Sequence, residues 1–317
     1  MIRFLGLILL CIGPNLFGME TDSITKPGRF HFQSMALGKC DACGCSASGG
    51  SMGFGSFLTS RFVGVRYIYQ QYSSSDGLYA NSPWYKESYN SIQVWGRIPV
   101  FKNAQISVLA PYHFNSRDTE TGSHSIQGIG DITVLGLYKV VQTKTDTTFF
   151  AHTVQLGAGV KAPTGTYDAL NNGSINPGFQ LGTGSWDYLF LIEHTVKRKK
   201  FGLGSMVNYV VKTVNDKGYR FGNQFNYAST LFWLHEQNDF SFSPQLGLAG
   251  EVSASNYQYG QEVEKTKGNI LFGRIGFETA LKKFSLGMNA LLPLSQDLTG
   301  GRVDAKFRLG VNLNYSL

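Results

Sequence analysis

Residues 303–317 read Val303-Asp304-Ala305-Lys306-Phe307-Arg308-Leu309-Gly310-Val311-Asn312-Leu313-Asn314-Tyr315-Ser316-Leu317. The odd positions are apolar or aromatic, and the even ones are polar, charged or glycine. A period of two sets successive side chains on opposite faces of a strand. One face suits lipid and the other suits water. In lipid only helices and closed barrels satisfy every backbone group, so a membrane barrel repeats this alternation in each of its strands.

The same pattern recurs from about residue 60. Val63, Val65, Tyr67 and Tyr69 oppose Gly64, Arg66 and Gln70, and Ile92, Val94, Ile98 and Val100 oppose Gln93 and Arg97. Similar stretches lie at 106–112, 132–140, 150–160, 186–196, 203–211, 219–227, 240–248, 271–278 and 284–292. With the stretch at 303–317 these predict an all-β chain, a single antiparallel transmembrane barrel of about twelve strands over 59–317. Connections alternate in length. Ser73–Lys86, Asn115–Gln127, Ala162–Gln180 and Ala254–Lys267 are long and polar, whereas Lys102–Asn103, Lys197–Lys200 and Lys282–Lys283 are short. Long outer loops and short periplasmic turns are the asymmetry expected of a barrel in the outer membrane of a Gram-negative bacterium, with membrane lipid around it.

Bulk composition agrees. Charged residues are only 15% of the 317, while 38 glycines and 14% aromatics suit a barrel wall. Mean hydropathy is -0.11, too low for a bundle of spanning helices. After the N-terminus no apolar run approaches the ~18–20 residues that such a helix needs. The net charge of +7 sits partly in clusters such as Lys197-Arg198-Lys199-Lys200. These read as charged turns at a membrane surface; no nucleic-acid partner is expected, because no stacking or zinc-finger motif accompanies them.

Residues 1–19 have a basic start at Arg3, an apolar run from Phe4 to Ile12 and breakers at Pro14 and Gly18, the pattern of a signal peptide. Residues 20–58 form a Gly- and Ser-rich segment with Cys40-Asp41-Ala42-Cys43-Gly44-Cys45. Its three thiols offer a soft-metal site for Cu(I) or Zn(II), with Met35 and His31 nearby. They also offer one disulfide and a spare thiol in an oxidising periplasm, or a short-lived redox or anchoring role. The segment is also a candidate contact for a periplasmic partner, or a plug for the narrow lumen.

Three Gly-rich pieces stand in order: Gly128-Ile129-Gly130-Asp131-Ile132, then Leu156-Gly157-Ala158-Gly159-Val160-Lys161-Ala162-Pro163-Thr164-Gly165-Thr166-Tyr167, then Leu181-Gly182-Thr183-Gly184-Ser185-Trp186-Asp187-Tyr188. No helical period follows them, so they are turn and bulge glycines rather than a phosphate loop. As a set they resemble the outer-membrane family named for the meta-pathway of phenol degradation. That resemblance covers about residues 125–195 by motif. It implies a transporter-like barrel that passes hydrophobic or aromatic compounds.

Catalysis is not expected. His113-Phe114-Asn115-Ser116 has the residue types of a barrel hydrolase but not the spacing, and His152 and His194 stand singly on strands. Inward positions are predicted to hold Arg66, Arg97, Asp131, Arg220, Arg274, Glu278, Lys283, Asp304, Lys306 and Arg308. Such a set gives either a mildly basic lumen or paired charges that fill it. The expectation is a channel for a small solute, hydrophobic or metal-related. The alternatives are a barrel-anchored soft-metal binder using Cys40, Cys43 and Cys45, and an outer-membrane hydrolase.

Overall fold

The computed structural model describes Leu58 and residues 60–75, 82–143 and 149–317. The expected signal segment and nearly all of 20–58, with Cys40, Cys43 and Cys45, lie outside the described residues.

The chain is an antiparallel meander. β1 (Phe62–Ser74), β2 (Tyr85–Phe101) and β3 (Ala104–Thr119) lead to β4 (Gly122–Ile129) and β5 (Ile132–Gln142). β4 pairs with the outer part of β3 and β5 with its inner part, so the two form one stave broken at Gly130-Asp131. β6 (Ala151–Ala162), β7 (Asp187–Arg198) and β8 (Phe201–Val211) follow. Beyond the short β9 (Tyr219–Arg220), β10 (Gln224–Trp233) is prolonged by β11 (His235–Gln237) and turns into β12 (Phe240–Ser253). β13 (Asn256–Gln258) and β14 (Gln261–Val263) precede β15 (Gly268–Leu281), β16 (Phe284–Leu298) and β17 (Val303–Ser316).

β17 pairs with β1, Leu313 opposite Val65 and Arg308 opposite Gln70, which closes a barrel of 12 staves. Closure removes every edge from the hydrocarbon. β9, β13 and β14 form a separate 3-stranded sheet within the long connections. Among the described residues no helix is long and apolar enough to cross a membrane. The outer face is apolar: Val94, Leu246, Ile275 and Phe190 are all more than half exposed. At one end four of the five connections are two residues long, and Lys199, Asn238 and Lys282 take positive φ of 51°, 51° and 53° to make three of them.

Three expectations are corrected. Asn115–Gln127 is no open loop: β3 and β4 carry the ladder outward as a hairpin closed at Glu120-Thr121, with Asp118 opposite Ser123. The eighth stave begins at Gln224 rather than near Tyr219. The alternation runs on through Tyr219-Arg220-Phe221, but the chain turns at Gly222, where a Cβ would lie 1.9 Å from the Ala254 carbonyl oxygen.

The third correction concerns 303–317. Gln71 faces Phe307 and Tyr72 faces Ala305, leaving Lys306 as the extra residue of a bulge. One added residue exchanges the two faces. Val303 and Ala305 therefore point inward and are buried, as are Arg308, Asn312 and Asn314 beyond the bulge. Gln296 repairs the interrupted ladder: its Oε1 accepts from the Ala305 N–H at 2.8 Å and its Nε2 donates to the Ala305 carbonyl at 3.1 Å.

Candidate functional site

The interior is the candidate site, and the alternation of each stave decides what enters it. On β2 the inward parity runs Glu87, Tyr89, Ser91, Gln93, Trp95 and Arg97. Towards the short-turn end, Arg97 reaches across the lumen from β2 to Glu193 on β7, with Nη2 2.9 Å from Oε1. Arg66 donates to Gln93 Oε1 at 2.9 and 2.6 Å and lies 4.7 Å from the Trp95 ring centroid. Both pairs are buried, where a cation without partners would cost several kcal/mol.

The middle of the lumen holds an apolar cluster, set beside buried polar residues such as Asn208, Asn226 and Thr133. Leu135 and Leu137 of β5, Leu189 and Leu191 of β7, Met206 and Val210 of β8, Ile270 and Phe272 of β15 and Leu291 of β16 join one buried cluster. Barrel interiors are ordinarily polar. This one has a hydrophobic belt.

Towards the long-loop end the connection 163–186 folds inward over the belt. Phe179 is fully buried, its ring edge-on to Tyr89 at 5.8 Å. Glu87 anchors the connection. It accepts from Ser74 Oγ at 2.7 Å, Tyr89 OH at 2.8 Å, Asn176 Nδ2 at 2.9 Å and Ser174 Oγ, and Arg117 Nε lies 3.3 Å away. Arg117 also donates to the Gly173 carbonyl.

The three Gly-rich pieces meet in a second anchor. Asp131, at the break between β4 and β5, accepts from Lys161 Nζ at 2.8 Å, Gly165 N–H at 3.0 Å and Thr183 N–H at 2.9 Å. Lys161 also lies 2.7 Å from Asp187, which takes Lys212 Nζ at 3.0 Å. Two lysines and two aspartates thus balance in one buried lattice that ties both ends of 163–186 to the wall. Gly182 is required here, because a Cβ would come within 2.4 Å of Asp131 Oδ1.

A third pair closes the floor under the connection. Arg308 donates to Glu251 at 2.5 and 3.1 Å and to Tyr72 OH at 2.6 Å, with the Phe272 ring centroid 4.3 Å from its guanidinium. Above it lies a cavity of about 100 Å³ lined by Tyr72, Ile270, Phe221, Pro177, Thr266 and Thr299. Pro177, Phe221, Thr266 and Thr299 also border an outer cavity of about 210 Å³ that Tyr167 and Tyr219 line. Rings of Tyr167, Tyr219 and Phe221 pack at 5.0–6.0 Å. Burial pushes the Tyr219 hydroxyl up to about 12, so it stays a neutral phenol at neutral pH.

Of the residues expected inside, Arg66, Arg97, Asp131, Arg274, Glu278 and Arg308 are buried there. The others are not. Arg220 lies on β9, off the wall, 4.3 Å from the Tyr257 ring. Lys283 sits in a turn, exposed, over Tyr315 at 5.3 Å. The bulge turns Asp304 and Lys306 outward, where they pair at 2.8 Å. Glu87, Lys161, Lys212 and Glu251 were missed. Glu87 and Glu251 share inward parity with Gln93 and Gln245 on their strands, so extending the strands outward would have found them. Five buried acids, Glu193, Asp131, Asp187, Glu251 and Glu87, each face a base, while Arg66 and Arg274 donate to the neutral groups of Gln93, Thr230 and Gln245. His113 is buried inside, while His152 and His194 stack on each other at 5.5 Å.

Residues 87–261 match the model of the family described as MetA-pathway of phenol degradation. No curated protein matches the sequence. Among solved structures, an outer membrane channel from Pseudomonas putida F1 superposes with a TM-score of 0.59 at 15% identity, covering 81% of this chain and 96% of that one. The β domain of the Bordetella autotransporter BrkA gives 0.49 at 9% identity, covering 81% and 100%. The fold is that of a barrel of the Gram-negative outer membrane.

Proposed function

Because the chain belongs to the family of the MetA-pathway of phenol degradation, we propose that it passes a small, predominantly apolar solute through the outer membrane, without making or breaking bonds. The hydrophobic belt of Leu135, Leu189, Leu191, Met206 and Phe272 carries this reading. A hydrophilic pore gains nothing from such a belt, which costs water its hydrogen bonds. An apolar solute exchanges one apolar surrounding for another. The solute comes first against Tyr167, Tyr219 and Phe221, then reaches the inner cavity, and passes the belt when the connection 163–186 shifts from its anchors. The outer membrane channel from Pseudomonas putida F1, alike in fold, is consistent with this role.

The test compares an aromatic hydrocarbon with a sugar. Cells carrying the protein should take up radiolabelled toluene several-fold faster than cells lacking it, and reconstituted vesicles should not swell in sucrose. Leu191→Gln should cut toluene uptake while the unheated protein keeps its compact gel mobility. Sucrose swelling with no gain in toluene uptake overturns the proposal.

A further inference from the structure

The outer wall carries a trough. A cavity of about 1060 Å³ crosses the lipid-facing side of β8, β10, β12, β15, β16 and β17. One register row runs along it, in which each residue faces the next across a strand pair: Leu203, Leu231, Leu246, Ile275, Ala290 and Leu309. Ala290 and Gly276 supply the depth. The five steps between those strands, about 4.8 Å each, make the row about 24 Å long. Strands in such barrels tilt by about 35–45°, so a row perpendicular to them climbs about 15 Å. That is the depth of one leaflet of a hydrocarbon core about 30 Å thick.

The lower end of the row is basic. Leu203 lies just past the Lys199-Lys200 turn, and Arg198 is the charged residue of the lining. The Arg198 guanidinium stands 5.2 Å from the Phe150 ring centroid, and Lys200 Nζ lies 5.9 Å from that of Trp233. Lys197 and Lys199 adjoin them, while Glu236 and Asp239 of the neighbouring hairpin offset only part of this charge. Aromatic rings beside cations at the end of an apolar wall mark the headgroup level.

We propose that the trough seats one anionic phospholipid of the inner leaflet, its acyl chain along Leu231, Leu246, Ile275 and Leu309 and its phosphate between Arg198 and Lys200. Clustered basic side chains at a bilayer surface favour anionic headgroups over zwitterionic ones, whose ammonium they repel. A second copy of the chain fits less well. Paired about a twofold axis, the concave troughs would face each other and bring like-charged rims together.

The purified, delipidated protein should be offered phosphatidylglycerol and phosphatidylethanolamine of the same acyl composition and examined by native mass spectrometry. Phosphatidylglycerol should be retained at least tenfold better, and the preference should shrink with added salt. Arg198→Gln with Lys200→Gln should abolish the preference, and Ala290→Trp should lower retention of both lipids. Unheated gel mobility reports the folded barrel. Equal retention by the unaltered protein, a preference indifferent to salt, or one that survives the double substitution overturns the proposal. So does a dimer crosslinked through Leu246→Cys.

Discussion

Lys161 shows what a single side chain does in a closed interior. Its ammonium satisfies two carboxylates at once, Asp131 at 2.8 Å and Asp187 at 2.7 Å, and all three groups are nearly inaccessible to water. Lys161→Met keeps the bulk but leaves Asp131 with only neutral donors. Breaking a buried pair on one side costs about 3–5 kcal/mol. Urea unfolding of the barrel in detergent should show a loss of that order. Lys306→Met, which removes only an exposed pair, should lie within about 1 kcal/mol of the unaltered protein. A similar loss in both variants would contradict the anchoring role assigned to Lys161.

At the scale of the element, β17 tests whether alternation alone can be trusted. Periodicity assigned Asp304 and Lys306 to the lumen, yet the bulge at Lys306 turns them out and turns Val303 and Ala305 in. In intact cells, Lys306→Cys should react with a membrane-impermeant maleimide, and Ala305→Cys should be protected. The reverse result would restore an unbroken alternation. Staves without such an interruption, β7 and β8 among them, were legible residue by residue, because burial on one side of a sheet imposes the period itself. A bulge leaves no local mark in composition. Its compensation lies ten residues away in Gln296, which no periodic reading connects to Ala305. The inward fold of 163–186 was equally hidden. Phe179 and Asn176 look like ordinary loop residues until Tyr89 and Glu87 are brought beneath them. The Gly-rich pieces that carried the family resemblance did, however, point to the place where that connection is tied down.

For the whole molecule the two ends differ. One carries four two-residue turns, and the other carries the inward-folded connection and the sheet of β9, β13 and β14. Orientation follows: in intact cells Lys217→Cys and Tyr259→Cys should be labelled from outside, and Lys199→Cys and Lys282→Cys only after the outer membrane is breached. Labelling of all four from outside would refute this placement. The bulge in β17 bears on how such a molecule can change. It acts as a phase slip between the halves of a stave, so a residue gained or lost in the outer half resets its faces at Lys306. The inner half, from Arg308 to Ser316, keeps its pairing with β1 throughout. Length variation can therefore accumulate beyond the slip, while the seam that closes the barrel stays in step.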